Sequence, residues 1–392
     1  MAAYLVNLKK AREGFIVLPI CWLSWMWNHG TRVAVPVLAP YLTEKYSLTV
    51  FEAAVLSGIT YLSFYGFMIV SGQAVVRIGY KRSVALSTLG AAFLFAFAGY
   101  APTTLMLFLL LFLTGFSLSL YLPAAIPWLS GLFNSSKRGL VVGVHESAAP
   151  TGQTLGPVFV AVAAAMLALE QVFVAWAVIA ALAGVLIILL AKPTPSMTVQ
   201  AARDAQLMSI KRLGIIIIVT LGVLIGNLGV LPIIPLYLVN VFGLERGFVA
   251  TLVGLSRLLG LIGQPVGGYL SDRFGRLTLI TILTILTFLS TAYIAYAPFN
   301  ILYIIFLVIQ ATATAMYFPV VYALISEEAR AYASIQIGRL LFVSGLLGPT
   351  LTAFVMGYMA ETFSYTIAFT YPLIFTLLSV AAVPWLRKSP NK

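Results

Sequence analysis

Long apolar stretches, broken at short polar and charged clusters, set the pattern of this chain. Cutting at the clusters leaves twelve apolar segments, at about 15–42, 50–71, 83–100, 103–132, 139–167, 171–191, 213–241, 247–270, 277–297, 299–325, 332–360 and 364–386. A helix needs roughly 20 mostly apolar residues to cross the hydrocarbon core of a bilayer. The pattern therefore predicts an all-α membrane protein of twelve transmembrane helices. Several are long enough to tilt or kink.

The basic residues orient these helices. With both termini on the cytoplasmic side, the inner segments hold 18 Lys and Arg, among them Arg12, Arg77, Lys81, Arg82, Lys137, Arg203, Arg273, Arg276, Arg330 and Lys392. The outer loops hold two, Lys45 and Arg246. That bias predicts cytoplasmic termini. The N-terminal MAAYLVNLKKAREG runs straight into apolar sequence with no cleavage site before a polar domain, so a retained first helix is expected.

Composition narrows the class. Of 392 residues, 61% are hydrophobic and 9% charged. A soluble domain carries roughly 45–50% apolar and about 25% charged residues. A chain this poor in charge cannot cover a water-facing surface, which excludes a soluble enzyme. A single cysteine, Cys21, excludes a disulfide scaffold. The net charge of +12 would suggest nucleic acid only if gathered on a folded face. Spread in clusters between apolar runs, it points to anionic headgroups on the inner face of a cell membrane. The lipid bilayer is thus an expected partner, nucleic acid is not, and a monomer is expected.

Several residues recur at an offset of 196. Pro36 matches Pro232, Gly72 matches Gly268, and Tyr121 with Pro123 matches Tyr317 with Pro319. Later the offset becomes 192, where Gly156-Pro157 matches Gly348-Pro349. Six spans followed by six in equivalent order form a parallel repeat, as in two-bundle transporters. The expected organisation is an N-terminal six-helix bundle over 1–191, a cytoplasmic linker over 192–212 and a C-terminal bundle over 213–392, the bundles related by a pseudo-two-fold axis.

The strongest local motif is Gly268-Tyr-Leu-Ser-Asp272-Arg273-Phe-Gly275-Arg276, on the inner side between spans 8 and 9. It resembles the cytoplasmic loop signature of the major facilitator superfamily, G-x-x-x-D-R-x-G-R. Its mate after span 2 is Gly72-Gln-Ala-Val-Val76-Arg77-Ile-Gly79-Tyr-Lys81-Arg82, with Val76 where the Asp belongs. The glycines permit tight turns and close helix approach. The Asp can cap a helix and the Arg can pair across the bundles. Gly152-x-x-x-Gly156-Pro157 resembles a second family feature, a close-packing and bending element. The resemblance implies an alternating-access carrier. No G-x-x-x-x-G-K-[ST] loop is present, which argues against an ATP-driven machine.

Charged side chains inside a span cost about 2.5–3.5 kcal/mol on insertion scales and are functional candidates. Four charged residues fall there: Arg32, Arg257, Arg339 and Glu146. Both histidines, His29 and His145, fall there too. In span 1, Asn28, His29 and Arg32 share a helix face, with Trp25 seven residues before the Arg. A guanidinium fork suits carboxylate, sulfate or phosphate; snorkelling to the outer interface is the competing role. Arg32-Val-Ala-Val-Pro36-Val-Leu-Ala-Pro40 resembles the first helix of organic-anion carriers, including anion:cation symporters and organophosphate antiporters. The symporters place an Asp before this Arg, where Thr31 stands here. In span 8, Arg257 lies near the middle with Gln264 on the same face, and the offset maps it onto Tyr61, with Tyr65 one turn on. Oxalate and monocarboxylate carriers also place an Arg in this helix. Arg257 either binds substrate or pairs with Glu146.

In spans 5 and 11, Glu146, helped by His145, either takes up a proton or forms a gate with an Arg. Arg339, Gln336 and Gln153 lie on the same faces. His145-Glu146-Ser147 is not a triad, because neighbours on a helix point apart. Asn227, near the Pro232 bend, either exposes backbone groups at a site or makes a helix contact. Trp22, Trp27 and Trp128 are read as residues that pack or sit at membrane interfaces. Glu327 and Glu328 are read as an inner loop pair opposite basic residues. Two distant histidines and one cysteine make no metal site, and no cofactor is expected.

The three Arg outnumber the one Glu, which favours an anion. The expected function is a secondary transporter of a small anion, an organic carboxylate, coupled to H+, with Arg32 and Arg257 holding the anion from opposite bundles. The alternatives are anion exchange, a nitrate or nitrite carrier, a drug or lipid exporter of the same superfamily, or a receptor without transport.

Overall fold

The structure is a computed structural model describing residues 2–133, 138–192, 209–329 and 333–387. Most of the expected linker, 193–208, lies outside the described residues, as do Lys137, Arg203, Arg330 and Lys392. Every regular element among the described residues is helical. The first group is α1 (Ala2–Tyr46), α2 (Val50–Gly66), α3 (Met68–Ile78), α4 (Tyr80–Gly99), α5 (Thr104–Ser119), α6 (Tyr121–Leu132), α7 (Arg138–Glu146), α8 (Ala148–Ala164) and α9 (Leu169–Leu190). The second is α10 (Ile210–Leu224), α11 (Ile234–Asn240), α12 (Arg246–Leu255), α13 (Gly260–Phe274), α14 (Arg276–Tyr296), α15 (Ile301–Ala329), α16 (Ala333–Gly345), α17 (Leu351–Thr362), α18 (Tyr365–Ala368) and α19 (Thr370–Arg387). One π-helical turn, Ile225–Gly229, follows α10, and another, Leu346–Thr350, follows α16.

Helices dominate because hydrocarbon offers no partner to a free N–H or C=O, so a lipid-facing segment must bond its backbone internally. Among the described residues nine helical stretches are long and apolar enough to span a bilayer, and α2 with α3, bent by 45°, makes a tenth. The two expected spans outside this set, 15–42 and 139–167, lie on α1 and on α7–α8. Those helices carry His29, Arg32, His145 and Glu146. Several helix starts use side-chain caps: Thr103 accepts from Met106 N–H, Ser209 from Arg212 N–H and Ser364 from Ile367 N–H.

The chain divides into two compact units, Met1–Ala34 with Ile59–Val199, and Val35–Gly58 with Gln200–Lys392. A division at the linker alone is the expectation; the C-terminal part of α1 and the first half of α2 instead group with the second unit. Three contacts hold them there. The Glu361 carboxylate accepts the Phe51 N–H at 2.7 Å, Arg246 pairs with Glu44, and Gly357 on α17 lies against Phe51 and Ala54.

In the first unit α4 packs against α5 and α9, and in the second α14 packs against α15 and α19. These pairs are equivalent under the sequence repeat. Gly79 and Gly275, 196 residues apart, both end one helix and start the next, with φ of +86° and +88°. Only glycine takes that conformation without strain. In the first unit α8 crosses α1 so closely that a Cβ on Gly152 or Gly156 would strike the backbone of Met26 or Gly30. Small residues allow such approach where packing, not water exclusion, joins helices. The core of the second unit gathers Ile216 and Val219 of α10, Ile280 and Leu283 of α14, Tyr317 and Val321 of α15, and Val383 of α19. Large apolar side chains such as Phe93, Phe97, Leu182 and Leu189 point outward, as a lipid-facing surface requires.

Candidate functional site

In the first unit the polar residues of α1 meet α6, α7 and α8. Positions 21, 25, 29 and 32 recur every three or four residues and so line one face of α1. Arg32 is 3% exposed. Its guanidinium carbon lies 4.1 Å from the centre of the Phe64 ring and 5.8 Å from those of Trp25 and Tyr61. Its Nε donates to the Asn28 carbonyl at 3.4 Å, while one terminal nitrogen has no hydrogen-bond partner. No carboxylate pairs with Arg32 among the described residues. The cation is thus covered by rings on its faces and has a donor to spare on its edge. Tyr65 stacks on Tyr61 at 6.3 Å, extending the aromatic wall. Snorkelling to the interface is excluded by this burial. Asn28 is buried, donates to the Leu118 carbonyl at 3.5 Å, and keeps an unpartnered carbonyl oxygen.

Trp25 joins two groups of polar residues. Its ring stacks on Tyr121 at 5.3 Å and on His145 at 5.8 Å, and His29 meets it edge-on at 4.4 Å. The Gln153 amide is 3.2 Å from His29 Nδ1. Tyr121 Oη lies 2.5 Å from the Cys21 carbonyl and 3.0 Å from His145 Nε2. His145 Nδ1 lies 3.0 Å from Glu146 Oε1. The expectation that His145 and Glu146 point apart is corrected here. The helix breaks at Ser147, directly after Glu146, and at a helix end a carboxylate is free to fold back onto its neighbour. Ser147 takes no part in this chain; its hydroxyl accepts from Trp22 Nε1 at 3.0 Å. Trp27 and Trp176 are linked by packing and by a bond from Trp27 Nε1 to the Trp176 carbonyl, and Trp176 Nε1 donates to Thr31.

In the second unit Arg257 is buried within a tightly wound break, residues 256–259, where hydrogen bonds run three residues back. Its guanidinium donates to the Val253 carbonyl at 3.0 Å and to Ser256 Oγ at 3.4 Å. The break lies between α12 and α13, with Gln264 seven residues on in α13. Asn227 is buried in the π-helical turn Ile225–Gly229, with residues 230–233, Pro232 among them, wound irregularly beyond it. Gln336 is buried with both amide atoms unpartnered, while Arg339 is exposed, so these two do not share surroundings.

The loop motif acts mainly through Arg276. Its guanidinium reaches Asp272 at 2.5 Å, Glu327 at 2.9 Å and the Ser271 hydroxyl. Asp272, near the end of α13, therefore pairs across the Gly275 turn with the first residue of α14, whose start has no side-chain cap. Glu328 takes Arg212 in a two-point bond, at 2.6 and 3.0 Å. Both acids of the Glu327–Glu328 pair thus meet basic residues. Arg273, Arg77 and Arg82 are exposed, and Lys81 donates to the Ile188 carbonyl at 2.9 Å. A Cβ on Gly72 or Gly268 would meet nothing within 4 Å, so close approach does not explain these two glycines. Among the described residues no group of three His, Cys, Asp or Glu is placed to hold a metal ion.

Sequence reasoning missed Tyr121 as a site residue. It marked the repeat, yet nothing in an apolar span distinguishes a tyrosine that bonds His145 from one that packs.

The family model described as Major Facilitator Superfamily matches residues 22–344 and, a second time, 216–392. A bacterial homologue of the human lysosomal transporter Spinster, solved in an inward-facing and occupied conformation, superposes with a TM-score of 0.83 at 14% identity, over 96% of this chain and 98% of that one. A nucleoside transporter, NupG, superposes with a TM-score of 0.76 at 14% identity, over 95% and 99%. At these identities the likeness concerns the fold. No curated protein sequence matches the chain.

Proposed function

The chain belongs to the Major Facilitator Superfamily, and from that premise we propose that it carries a small organic anion, a carboxylate, across the cell membrane together with a proton. The fold is that of multi-pass secondary transporters. One observation carries the choice of cargo: Arg32 is buried among three aromatic rings, unpaired with any carboxylate among the described residues, with a terminal nitrogen left to donate. A guanidinium held this way accepts a carboxylate on its edge, while Phe64, Tyr61 and Trp25 meet the apolar body attached to it. The rings favour an organic over an inorganic anion. They equally suit an amphipathic anion such as a lipid or drug, which is the second reading. Arg257 is the corresponding cation of the second unit. His145 and Glu146 are the proton-coupling groups.

The test is a thermal-shift screen of the purified protein with carboxylates, phosphates, nitrate and lipophilic anions, since a ligand of the folded state raises its stability. A carboxylate is expected to raise the Tm, and Arg32→Ala is expected to abolish that shift. Losing a hydrogen bond to a charged group should weaken binding about tenfold to hundredfold. An unchanged shift in Arg32→Ala would remove Arg32 from the site. Arg257→Ala is expected to abolish uptake in liposomes while leaving the protein folded.

A further inference from the structure

The hydrogen bonds around His145 determine where a proton sits. The Cys21 carbonyl can only accept, and it lies 2.5 Å from Tyr121 Oη. The single proton of the Tyr121 hydroxyl is therefore committed to that carbonyl. At 3.0 Å on its other side, Tyr121 Oη faces His145 Nε2 and can only accept from it. His145 must carry its proton on Nε2. Its other nitrogen, Nδ1, lies 3.0 Å from Glu146 Oε1. A bare Nδ1 and an ionised carboxylate are both acceptors and repel at that distance. One further proton must lie between them, on Nδ1 or on Oε1.

We propose that the transported proton is held by His145 and Glu146 jointly, with Tyr121 as the positioning residue that fixes His145 as an Nε2 donor. This deepens the proton-coupled reading above and rests on it. In the loaded state the pair is neutral, either imidazolium with carboxylate or imidazole with carboxylic acid. Release breaks the Nδ1–H or Oε1–H bond and passes the proton to water. The pair is left with a charge of −1 and two facing lone pairs, so Glu146 must swing away. Its side chain is 36% exposed and has room to do so, whereas His145 is fully buried and stays. The groups facing the pair are Tyr121 on α6 and Cys21, Trp25 and His29 on α1. Arg32 lies across the Trp25 ring, whose centre is 5.8 Å from the guanidinium carbon and 5.8 Å from the centre of the imidazole. The unloaded carboxylate opposes an incoming anion at Arg32, and the loaded, neutral pair does not. Proton and anion therefore bind best together.

The chain has only two histidines, so nitrogen NMR of 15N-histidine-labelled protein resolves each ring, with His29→Asn assigning them. His145 is expected to keep a protonated Nε2 at every pH, with only Nδ1 changing state. A neutral His145 protonated on Nδ1 and bare on Nε2 would overturn the proposal. Tyr121→Phe keeps the stacked ring and removes the acceptor. Its proton-driven uptake should shift to lower pH by about one unit, a tenfold loss of proton affinity, because Nδ1–H can then turn toward an ionised Glu146. An unshifted pH profile in this variant, if folded, would equally overturn the proposal. A wild-type protein that moves no carboxylate would sink the transport reading and leave the ring-nitrogen measurement to judge the pair alone.

Discussion

Arg32 exchanges water for three aromatic rings and keeps one terminal nitrogen free to donate. That arrangement depends on the planar, delocalised shape of guanidinium, which an ammonium lacks. Arg32→Lys should thus behave like Arg32→Ala in anion binding, not like the wild type. Glu146→Gln places an amide N–H where the shared proton lies and so imitates the loaded pair. Proton-driven uptake should vanish while counterflow survives; unchanged pH dependence would exclude Glu146 as a carrier. Away from the membrane, Glu245 caps α12 by accepting the Gly247 and Phe248 N–H groups at 2.7 Å each. Those bonds favour the ionised form and hold its carboxyl below the ordinary value. Its contribution is therefore present above the unfolded-state pKa and lost as pH falls through the lower folded-state value. Glu245→Ala should cost about 1 kcal/mol at neutral pH, and a urea or thermal titration should show the difference shrink in acid. At this scale the charges were legible in sequence because a charged residue in an apolar run is conspicuous. Tyr121 was not, since its role is set by Cys21 and His145, 100 and 24 residues away.

Among helices, three of the candidate residues sit at breaks. Glu146 ends α7, Asn227 sits in a π-helical turn, and Arg257 sits in a wound break between α12 and α13. Pro232 announced the second of these. The break at 256–259 had no proline within it to mark it, so it was not legible in the sequence. Two glycines of the same loop motif make opposite predictions. Gly275 has φ of +88°, and Gly268 is helical with open space above it. Gly275→Ala should cost about 1–3 kcal/mol, the penalty for a side chain in an extended positive-φ conformation that essentially only glycine adopts. Gly268→Ala should be neutral or slightly stabilising through better helix propensity. Thermal unfolding in detergent checks both, and equal losses would show that the motif is not held by backbone conformation.

For the molecule as a whole, the apolar pattern gave the fold class and the offset of 196 gave the repeat, which reappears in the matched turns at Gly79 and Gly275. The allegiance of Val35–Gly58 was illegible because it depends on contacts with Arg246, Gly357 and Glu361, over 200 residues ahead. Orientation still rests on the basic residues, and the single cysteine makes it easy to test. Cys21 is fully buried, so a maleimide finds no native target. Lys45→Cys should label from outside intact cells, and Arg273→Cys only after they are opened. The reverse would invert the topology. If the His145–Glu146 pair carries the proton as proposed, it also decides what the membrane voltage acts on. A monoanion at Arg32 beside a protonated pair sums to zero charge in the first unit, and so does an empty Arg32 beside an ionised Glu146. A charge moved across the membrane responds by about 2.3 kcal/mol per 100 mV. With the two states equal in charge, uptake of a monocarboxylate with one proton is expected to follow the pH gradient and ignore the potential, while a dicarboxylate would leave one negative charge for the potential to oppose.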